Sequence, residues 1–501
     1  MKTFNSLVRI YLKRYHKVLD KVRTNSLELQ QKELKRILSS PIYGGIDEKS
    51  FFEQEPTLYK DYKSEIDSRL LSGKGKFHSI SVFAKSAGTS GNNSKLIPTS
   101  DAFLKRNHIP AGWLTMSLMY ALRPDMDIIS KKNLLVGGAI YDRTKNYTIA
   151  DISGLLIEKI PRIFHRFYLP SIAEATMPDW EKKLMVTARK AADTDEVVMF
   201  AGVPTWILTL AKEVLSISSK RNLIEVWPNL KVYLHGGVKM KPYLEQFQRL
   251  IPKEAGVLFM EIYNASEGFF AIQDTLINHG MLLLTCHGVY YEFIILKNYR
   301  EASYRILPLS EVVCKEEYVM LITTLSGLRR YVMGDTVSFT SRHPFRLTVK
   351  GRINEFINAF GEDLTLEVAN NAIIDVCEKS NALIRNYTVA PQYISLNDKG
   401  CHQWYIEFEK PPNCFSSFES ELDEKVKQYN FNYAQKRSDD IALSKLEVIN
   451  LPRGFYDSFA KIRNKFGGQN KLPKLRNDRS LADEIEAMMK SELRTREHSV
   501  L

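Results

Sequence analysis

Cysteine is scarce in this chain of 501 residues, and its spacing argues against two common kinds of site. The five cysteines are Cys286, Cys314, Cys377, Cys401 and Cys414, and no two of them stand at Cys-x-x-Cys spacing. An odd number without paired spacing argues against a zinc site or a disulfide framework and favours reduced thiols. We therefore predict a cytoplasmic protein whose cysteines are small core residues.

Long apolar runs are also lacking. No uninterrupted stretch approaches the roughly 20 residues that a membrane-spanning helix needs. Basic residues interrupt the first 22 positions, so these do not resemble a secretory signal. Their apolar side chains recur at helical spacing, which predicts a helix packed on the body of the protein. A basic amphipathic helix on a membrane surface is the alternative.

No dense block of lysine and arginine occurs, although the formal net charge is +12. The basic residues are spread along the chain among 58 acidic ones, so we do not expect a nucleic-acid partner. Anionic small molecules would also suit this charge. The share of hydrophobic residues, 44%, is that of a soluble globular protein and argues against disorder over most of the chain.

Short apolar runs alternate with amphipathic stretches from Ile80 onward, which predicts an α/β domain with a largely parallel sheet flanked by helices. The predicted strands are Ile80–Ala84, Asn133–Val136, Val197–Ala201, Leu230–His235, Val257–Ile262 and Met281–Thr285. The predicted helices between them include Trp180–Ala192, Thr205–Ser218 and Pro242–Ile251.

The pattern changes after about Gly351. Helical and strand-like segments now mix, which predicts a smaller α+β domain: the helices Val368–Lys379, Phe418–Asn430 and Leu481–Leu493, and the strands Ile384–Ser395, Gln403–Glu409 and Leu446–Asn450. We therefore predict a large N-terminal domain over residues 1–353 and a small C-terminal domain over residues 354–501.

A loop rich in glycine and hydroxyl side chains, Ser86–Lys95, directly follows the first predicted strand. Backbone N–H groups of such a loop can surround a polyphosphate, and a lysine offsets its charge. The spacing does not match the Walker pattern, so a P-loop NTPase is not indicated. A small polar surface turn is the plain alternative.

Further polar motifs follow other predicted strands, and ligands of open α/β sheets bind beyond strand ends. In Tyr263–Gly268, a tyrosine ring can stack on a base, Ser266 can bond a phosphate and Glu267 can hold Mg²⁺. Glu267 as a solvated loop acid is the alternative. Paired glycines after His235 let a flat ring approach the backbone, whereas His235 itself is more often structural.

Three motifs lie further along the chain. Asp335 follows a glycine and can accept both ribose hydroxyls, unless Gly334-Asp335 is an ordinary turn. Gly351–Glu355 stands where the pattern changes, and the loop Gly467–Lys474 could present Lys471 or be a solvated basic loop. Four of the six motifs follow strands or stand at strand ends, where a nucleotide site would be built.

In these motifs and their order, the sequence resembles the plant auxin-responsive acyl acid amido synthetases (the Gretchen Hagen family) and their bacterial relatives, within the adenylate-forming superfamily. The resemblance runs from about Phe83 to Arg479. It rests on Ser86–Ser90, Trp227–Leu230, His235–Gly237, Tyr263–Glu267, Gly334-Asp335 and Gln469–Lys471.

The resemblance implies an ATP- and Mg²⁺-dependent ligase that converts a carboxylic acid to an acyl adenylate and passes the acyl group to an amine, such as that of an amino acid. It implies a nucleotide site between the large domain and a mobile small one. The implied residues are Ser86, Gly88, Thr89 and Ser90 around the phosphates, Gly236 and Gly237 along the adenine, Tyr263 near the base, Ser266 at a phosphate, Glu267 at Mg²⁺, Asp335 at the ribose, Arg352 near the nucleotide, Asn354 at the hinge and Lys471 as the adenylation lysine.

The sequence departs from the family pattern at three places. Ala87 replaces a serine of the first motif, and Arg330-Tyr331 is separated from Gly334 by two residues. Asn354 stands where many superfamily members have Asp or Lys. Two alternatives stay open: an acyl-CoA ligase using the same adenylation step, which would have the same nucleotide motifs, and a non-catalytic nucleotide-binding relative, which Ala87 allows.

The acid is expected in a pocket lined by Trp113–Leu122 and Phe164–Leu169, whose aromatic and methionine residues suit an apolar or aromatic acid. A core helix at Trp113–Leu122 is an equally plain interpretation.

Overall fold

The computed structural model describes residues 2–71, 80–86, 95–237, 240, 244–277, 279–353, 356–394, 399–438, 443–462 and 474–498. The chain forms two compact units. Unit 1 contains Met1–Ser86, Lys95–Met240 and Phe247–Ile353, and unit 2 is built mainly from Asn354–Leu501, with Lys241–Gln246.

Helices up to residue 300 are α1 (Lys2–Thr24), α2 (Ser26–Leu38), α3 (Glu48–Phe52), α4 (Lys60–Leu71), α5 (Asp101–Arg106), α6 (His108–Leu122), α7 (Ile152–Glu158), α8 (Ile172–Ala175), α9 (Trp180–Ala192), α10 (Pro204–Ser218), α11 (Leu223–Val226), α12 (Leu244–Leu250) and α13 (Leu296–Arg300). Short 3-10 helices cover Arg162–Phe167, Lys253–Ala255 and Leu309–Glu311.

Strands of unit 1 are β1 (Val82–Ser86), β2 (Lys95–Pro98), β3 (Lys132–Leu135), β4 (Ile140–Arg143), β5 (Thr148–Ala150), β6 (Tyr168–Leu169), β7 (Val197–Ala201), β8 (Val232–His235), β9 (Leu258–Ala265), β10 (Gly268–Ile272), β11 (Met281–Leu283), β12 (Val289–Ile295), β13 (Leu307–Pro308), β14 (Glu317–Thr324), β15 (Tyr331–Arg342) and β16 (Phe345–Arg352).

Twelve strands form one sheet in the order β13-β12-β14-β15-β16-β11-β10-β9-β8-β7-β3-β6. The predicted parallel pairing occupies the half β9-β8-β7-β3-β6, where helices connect successive strands. The other half is antiparallel, because connections such as His343-Pro344 between β15 and β16 are too short for a crossover. The α/β class is confirmed, but the sheet is mixed rather than largely parallel.

Strand β1, which overlaps the predicted strand Ile80–Ala84, belongs to a separate four-stranded sheet in the order β2-β1-β5-β4. Its pairing with β2 aligns Ser86 with Lys95, and its pairing with β5 is parallel. The strand signal in the sequence was correct, but sheet membership depends on partners distant in sequence.

The N-terminal helix α1 packs on the body of unit 1, as its apolar stripe predicts. Its residues Val8, Leu12, Leu19 and Val22 are buried in one core cluster with residues of α6 and the parallel half of the sheet. Within the described residues, the structure contains no helix with the length and apolarity required of a membrane span.

Unit 2 is a small α+β assembly, which confirms the predicted class. Its strands are β17 (Phe356–Ile357), β18 (Leu364–Thr365), β19 (Leu383–Gln392), β20 (Cys401–Lys410) and β21 (Glu447–Leu451), and its helices are α14 (Leu366–Ser380), α15 (Phe415–Tyr429), α16 (Phe431–Arg437), α17 (Phe455–Ile462) and α18 (Ser480–His498). Strands β19 and β20 pair antiparallel, as predicted, and β21 joins β20 in parallel.

Candidate nucleotide site

The second motif lies in a β-hairpin. Strand β9 continues past the predicted end at Ile262 to Ala265, and Ser266-Glu267 form the turn into β10. The extension arises because β10 pairs back along β9, which apolar periodicity in β9 alone does not reveal. Glu267 is only 6% exposed, so it is not the solvated loop acid of the alternative interpretation.

Tyr263 and Asp335 lie together in unit 1. The tyrosine hydroxyl donates a hydrogen bond of 2.7 Å to Oδ2 of Asp335, and both residues are buried. Three strands separate β9 from β15 in the sheet order, so a flat sheet would hold them about 19 Å apart. The contact therefore requires strong curvature of the sheet, which brings the second and fourth motifs to one place.

Asp335 lies inside a strand rather than in a turn after one. Strand β15 runs through it, and Asp335 faces Arg352 in register on β16. The preceding Gly334 has a φ of +94°, and its carbonyl accepts a 2.8 Å bond from the N–H of Ile353. The register is irregular one residue after Asp335, between Thr336 and Val337. Glycine is needed here because this backbone conformation is strained for other residues.

The hairpin turn contacts the end of β1. The Ser266 hydroxyl donates a hydrogen bond of 3.3 Å to the carbonyl of Lys85, next to Ser86. The first motif therefore begins beside the second. Gly88, Thr89 and Ser90 lie outside the described residues.

Lys95, at the end of the first motif, is buried among tyrosines. Its Nζ lies 3.4 Å from the Tyr331 hydroxyl, and it lies 5.8 Å from the ring centroid of Tyr59. Arg330, from the same displaced pair as Tyr331, makes a two-bond ion pair with Glu292. Arg330 therefore has a structural role in unit 1.

The paired glycines after β8 have local reasons to be glycine. A Cβ on Gly236 would lie 2.6 Å from the carbonyl oxygen of Ile262, and Gly237 has a φ of +81°. These constraints would hold without any ligand, so they do not by themselves identify an adenine site. His235 is buried, which lowers its pKa to about 4, and its Nδ1 has no hydrogen-bond partner among the described residues.

A polar cluster near Ser86 has no counterpart in the sequence motifs. The Lys85 ammonium lies 4.4 Å from the ring centroid of Tyr141, whose hydroxyl donates to Oδ2 of Asp151 at 2.9 Å. Burial lowers the pKa of Lys85, and the charge of Asp151 opposes this shift. Lys85 directly precedes the first motif, which is the one signal that could have drawn attention to it.

Two more predicted residues, Asn354 and Lys471, also lie outside the described residues. Arg352 is the last residue of β16. Among the residues that the structure describes, no group of three or more His, Cys, Asp and Glu side chains could hold a metal ion. A single carboxylate, Glu267, still fits Mg²⁺, because this ion commonly takes one or two carboxylates and completes its shell with phosphates and water.

The predicted acid pocket at Trp113–Leu122 is largely core. Ala111, Leu114, Leu118, Met119 and Tyr120 of α6 are buried in the same cluster as α1. Trp113 contacts Phe164, with ring centroids 6.1 Å apart, so the two predicted segments do meet. Trp113 also contacts Tyr11 of α1 at 5.4 Å, which favours the core interpretation.

Known structures with this fold include an acyl acid amido synthetase and an acyl-CoA ligase. The structure of the AtGH3.15 acyl acid amido synthetase in complex with 2,4-DB matches with a TM-score of 0.60 and 18% identity, over 95% of this chain and 96% of that one. A 2-hydroxyisobutyryl-CoA ligase in complex with 2-HIB-AMP and CoA matches with a TM-score of 0.52 and 11% identity, over 96% and 92%. The fold is thus that of adenylate-forming enzymes.

The chain belongs to the GH3 family, as three successive matches show. The family's N-terminal domain matches residues 16–191 and 139–255, its central domain residues 282–352 and its C-terminal domain residues 367–480. One relative is an indole-3-acetic acid-amido synthetase, GH3.4 of Arabidopsis thaliana, which is 22% identical over 65% of this chain and 67% of its own length.

Proposed function

We propose that this protein is an ATP-dependent acyl acid amido synthetase. It joins a carboxylic acid to AMP with release of pyrophosphate, and then transfers the acyl group to the amine of an amino acid. The observation that carries the proposal is the pair Tyr263–Asp335, a buried tyrosine and carboxylate held 2.7 Å apart in unit 1 of a GH3-family chain.

The proposed ATP contacts follow the motifs. Asp335 accepts the ribose hydroxyls with its carboxylate, Tyr263 flanks the base, and Ser266 bonds a phosphate beside the end of β1. The remaining assignments are Ser86, Gly88, Thr89 and Ser90 at the phosphates, Gly236 and Gly237 along the adenine, and Arg352 near the nucleotide.

Activation of the acid gathers negative charge. A carboxylate is a poor electrophile, and its attack on the α-phosphorus places charge on the acid, the phosphate and the leaving pyrophosphate. Mg²⁺, held by Glu267, would supply Lewis-acid stabilisation of the phosphates. Lys471 is proposed to place its ammonium at the α-phosphate and acyl oxygens, where preorganised positive charge lowers the barrier most.

Transfer to the amine requires that the acyl carbon become accessible. We propose that residues 1–353 form the nucleotide- and acyl-binding domain and that residues 354–501 form the domain carrying Lys471. Rotation at Asn354 would withdraw Lys471 after adenylation and admit the amine. All five cysteines are free, which supports a cytoplasmic setting. The prediction that they are core residues is wrong for Cys314 and Cys414, which are exposed.

The experiment combines two readouts on the whole chain. ATP–pyrophosphate exchange with a panel of carboxylic acids measures adenylation, and mass spectrometry with a mixture of amino acids and coenzyme A identifies the acceptor. Amide products support the proposal. Thioester products alone would make the protein an acyl-CoA ligase, and ATP binding without exchange for any acid would indicate a non-catalytic relative.

A further inference from the structure

Glycines follow three neighbouring parallel strands of the main sheet at their carboxyl ends: Gly137 follows β3, Gly202 follows β7 and Gly236 follows β8. Ligands of open α/β sheets bind along such an edge. Tyr263 lies on β9, at one end of this edge, and β3 is the third strand beyond β9 in the sheet. The β3–β7 end of this edge is therefore a candidate for the part of a substrate furthest from ATP.

A buried lysine lies at the β3 end. Lys183 of α9 is 4% exposed, and its Nζ donates a hydrogen bond of 3.1 Å to the carbonyl of Gly137. Within the described part of the chain, this is the sole hydrogen bond of its ammonium, and no carboxylate lies within ion-pair distance of it. A buried cation with one neutral acceptor is costly unless an anion joins it.

Asp151, the acidic group that attracts Lys183, does not fill this role. Asp151 attracts Lys183, but its Oδ2 already accepts bonds from the N–H of Ala139 at 2.7 Å and the hydroxyl of Tyr141 at 2.9 Å. Burial lowers the pKa of Lys183 to about 8, against the pull of Asp151. At neutral pH the ammonium is therefore still the main form, and an anionic ligand would favour it further.

Two tryptophans provide an apolar surface beside Lys183. The rings of Trp180 on α9 and Trp206 on α10 are 5.0 Å apart between centroids, and both residues are half-buried. The Lys183 Nζ lies 6.0 Å from the Trp180 ring centroid. A large apolar surface next to one buried charge suits a ligand with an apolar body and an anionic end.

We propose that Lys183, Trp180 and Trp206 form a subsite for the far end of the acid substrate, and that this acid carries a second carboxylate on an extended apolar or aromatic body. The inference rests on the proposed function, because it assumes that the first carboxylate is adenylated near Tyr263. Three strand spacings separate β9 from β3, up to about 14 Å, so the acid must be extended.

The test compares diacids with half-esters on the full chain. Suberate and sebacate are each paired with their monomethyl ester, which keeps the skeleton and removes one charge. The wild type is expected to use the best diacid on the order of tenfold or more better than its half-ester, as kcat/KM in ATP–pyrophosphate exchange. Lys183→Met should abolish this preference, because the second carboxylate then has no charged partner.

Lys190→Met is the matched control, because Lys190 lies on the same helix but is exposed and paired with Glu174. It should keep the diacid preference. Equal use of diacid and half-ester by the wild type, or a preference that survives Lys183→Met, overturns the subsite. The subsite is also overturned if other acids support ATP–pyrophosphate exchange but neither member of any of these pairs does.

Calorimetric titration of suberate and its half-ester, without ATP, separates the two proposals. If no acid supports exchange, the proposed function fails, and the binding data alone decide on the subsite. The subsite is supported if the diacid binds more tightly than the half-ester and Lys183→Met abolishes this difference. Equal binding of both compounds to the wild type overturns it.

Discussion

The hydroxyl of Tyr263 on β9 donates a 2.7 Å hydrogen bond to Oδ2 of Asp335 on β15. The bond joins two motifs across the curved sheet and fixes the orientation of the carboxylate. In the proposed function, that orientation matters because Asp335 must meet the ribose hydroxyls without first reorganising.

Replacing Tyr263 with Phe removes the hydroxyl and keeps the ring. A hydrogen bond to a charged group contributes about 1.5–3 kcal/mol, so we expect the Kd for ATP to rise on the order of tenfold or more. Equilibrium dialysis with labelled ATP measures this. Tyr318→Phe is the control, since the Tyr318 hydroxyl accepts a bond from the N–H of Val313 in the same unit. An unchanged Kd in Tyr263→Phe would contradict the assignment.

Replacing Glu267 with Gln removes the carboxylate proposed for Mg²⁺ while keeping its shape. The Mg²⁺ concentration that half-saturates pyrophosphate exchange should rise on the order of tenfold, because a neutral amide is a poorer ligand for this hard cation. Glu254→Gln changes an exposed acid in the 3-10 helix Lys253–Ala255 and should leave this concentration unchanged. If both variants show the wild-type Mg²⁺ dependence, Glu267 is not the ligand.

Arg330 and Glu292 form a buried ion pair, with side chains 5% and 4% exposed. Arg330→Met leaves the carboxylate without its partner, so the free energy of unfolding should fall by about 3–5 kcal/mol in urea denaturation. The exposed pair Arg305–Glu311 is the matched comparison, and Arg305→Met should cost at most about 1 kcal/mol. Comparable losses in the two variants would contradict a buried structural role for Arg330.

His108 on α6 is buried, and neither ring nitrogen has a hydrogen-bond partner within the described part of the chain. Burial lowers its pKa from 6.5 to about 3. The folded state therefore disfavours protonation of His108. The contribution of neutral His108 to the free energy of unfolding is complete above pH 6.5 and is lost as the pH falls towards 3.

We therefore expect the free energy of unfolding of His108→Leu to fall less steeply on acidification than that of the wild type. The slope below pH 6 should be smaller by about 1.4 kcal/mol per pH unit, as measured by urea denaturation at several pH values. Thr115→Val, a change at a buried non-titrating position of the same helix, should retain the wild-type slope. An unaltered slope in His108→Leu would show that this histidine is not buried in its neutral form.

Local patterns predicted some elements well. The predicted strand Val197–Ala201 and helix Trp180–Ala192 coincide with β7 and α9 because their apolar periodicity is determined by residues near in sequence. The end of β9 was missed because β10 extends it by pairing. The antiparallel half of the sheet and the separate sheet of β1 also depend on partners far along the chain.

The site was predictable to a similar extent. Motif chemistry selected Tyr263 and Asp335 singly, but 72 positions separate them, and no spacing rule predicts their hydrogen bond. Lys183 lies within an amphipathic helix, where a lysine is ordinarily solvated. Its burial becomes evident only when α9 is packed against the end of β3.

The most direct test of the proposed adenylation is ATP–pyrophosphate exchange in Lys471→Ala, with the best acid from the panel. We predict a loss of rate on the order of a hundredfold or more, with ATP binding retained, because the ammonium acts on charge that develops in the transition state. Lys490→Ala, a change to an exposed lysine of α18, should keep the wild-type rate. Undiminished exchange in Lys471→Ala would contradict the proposed mechanism.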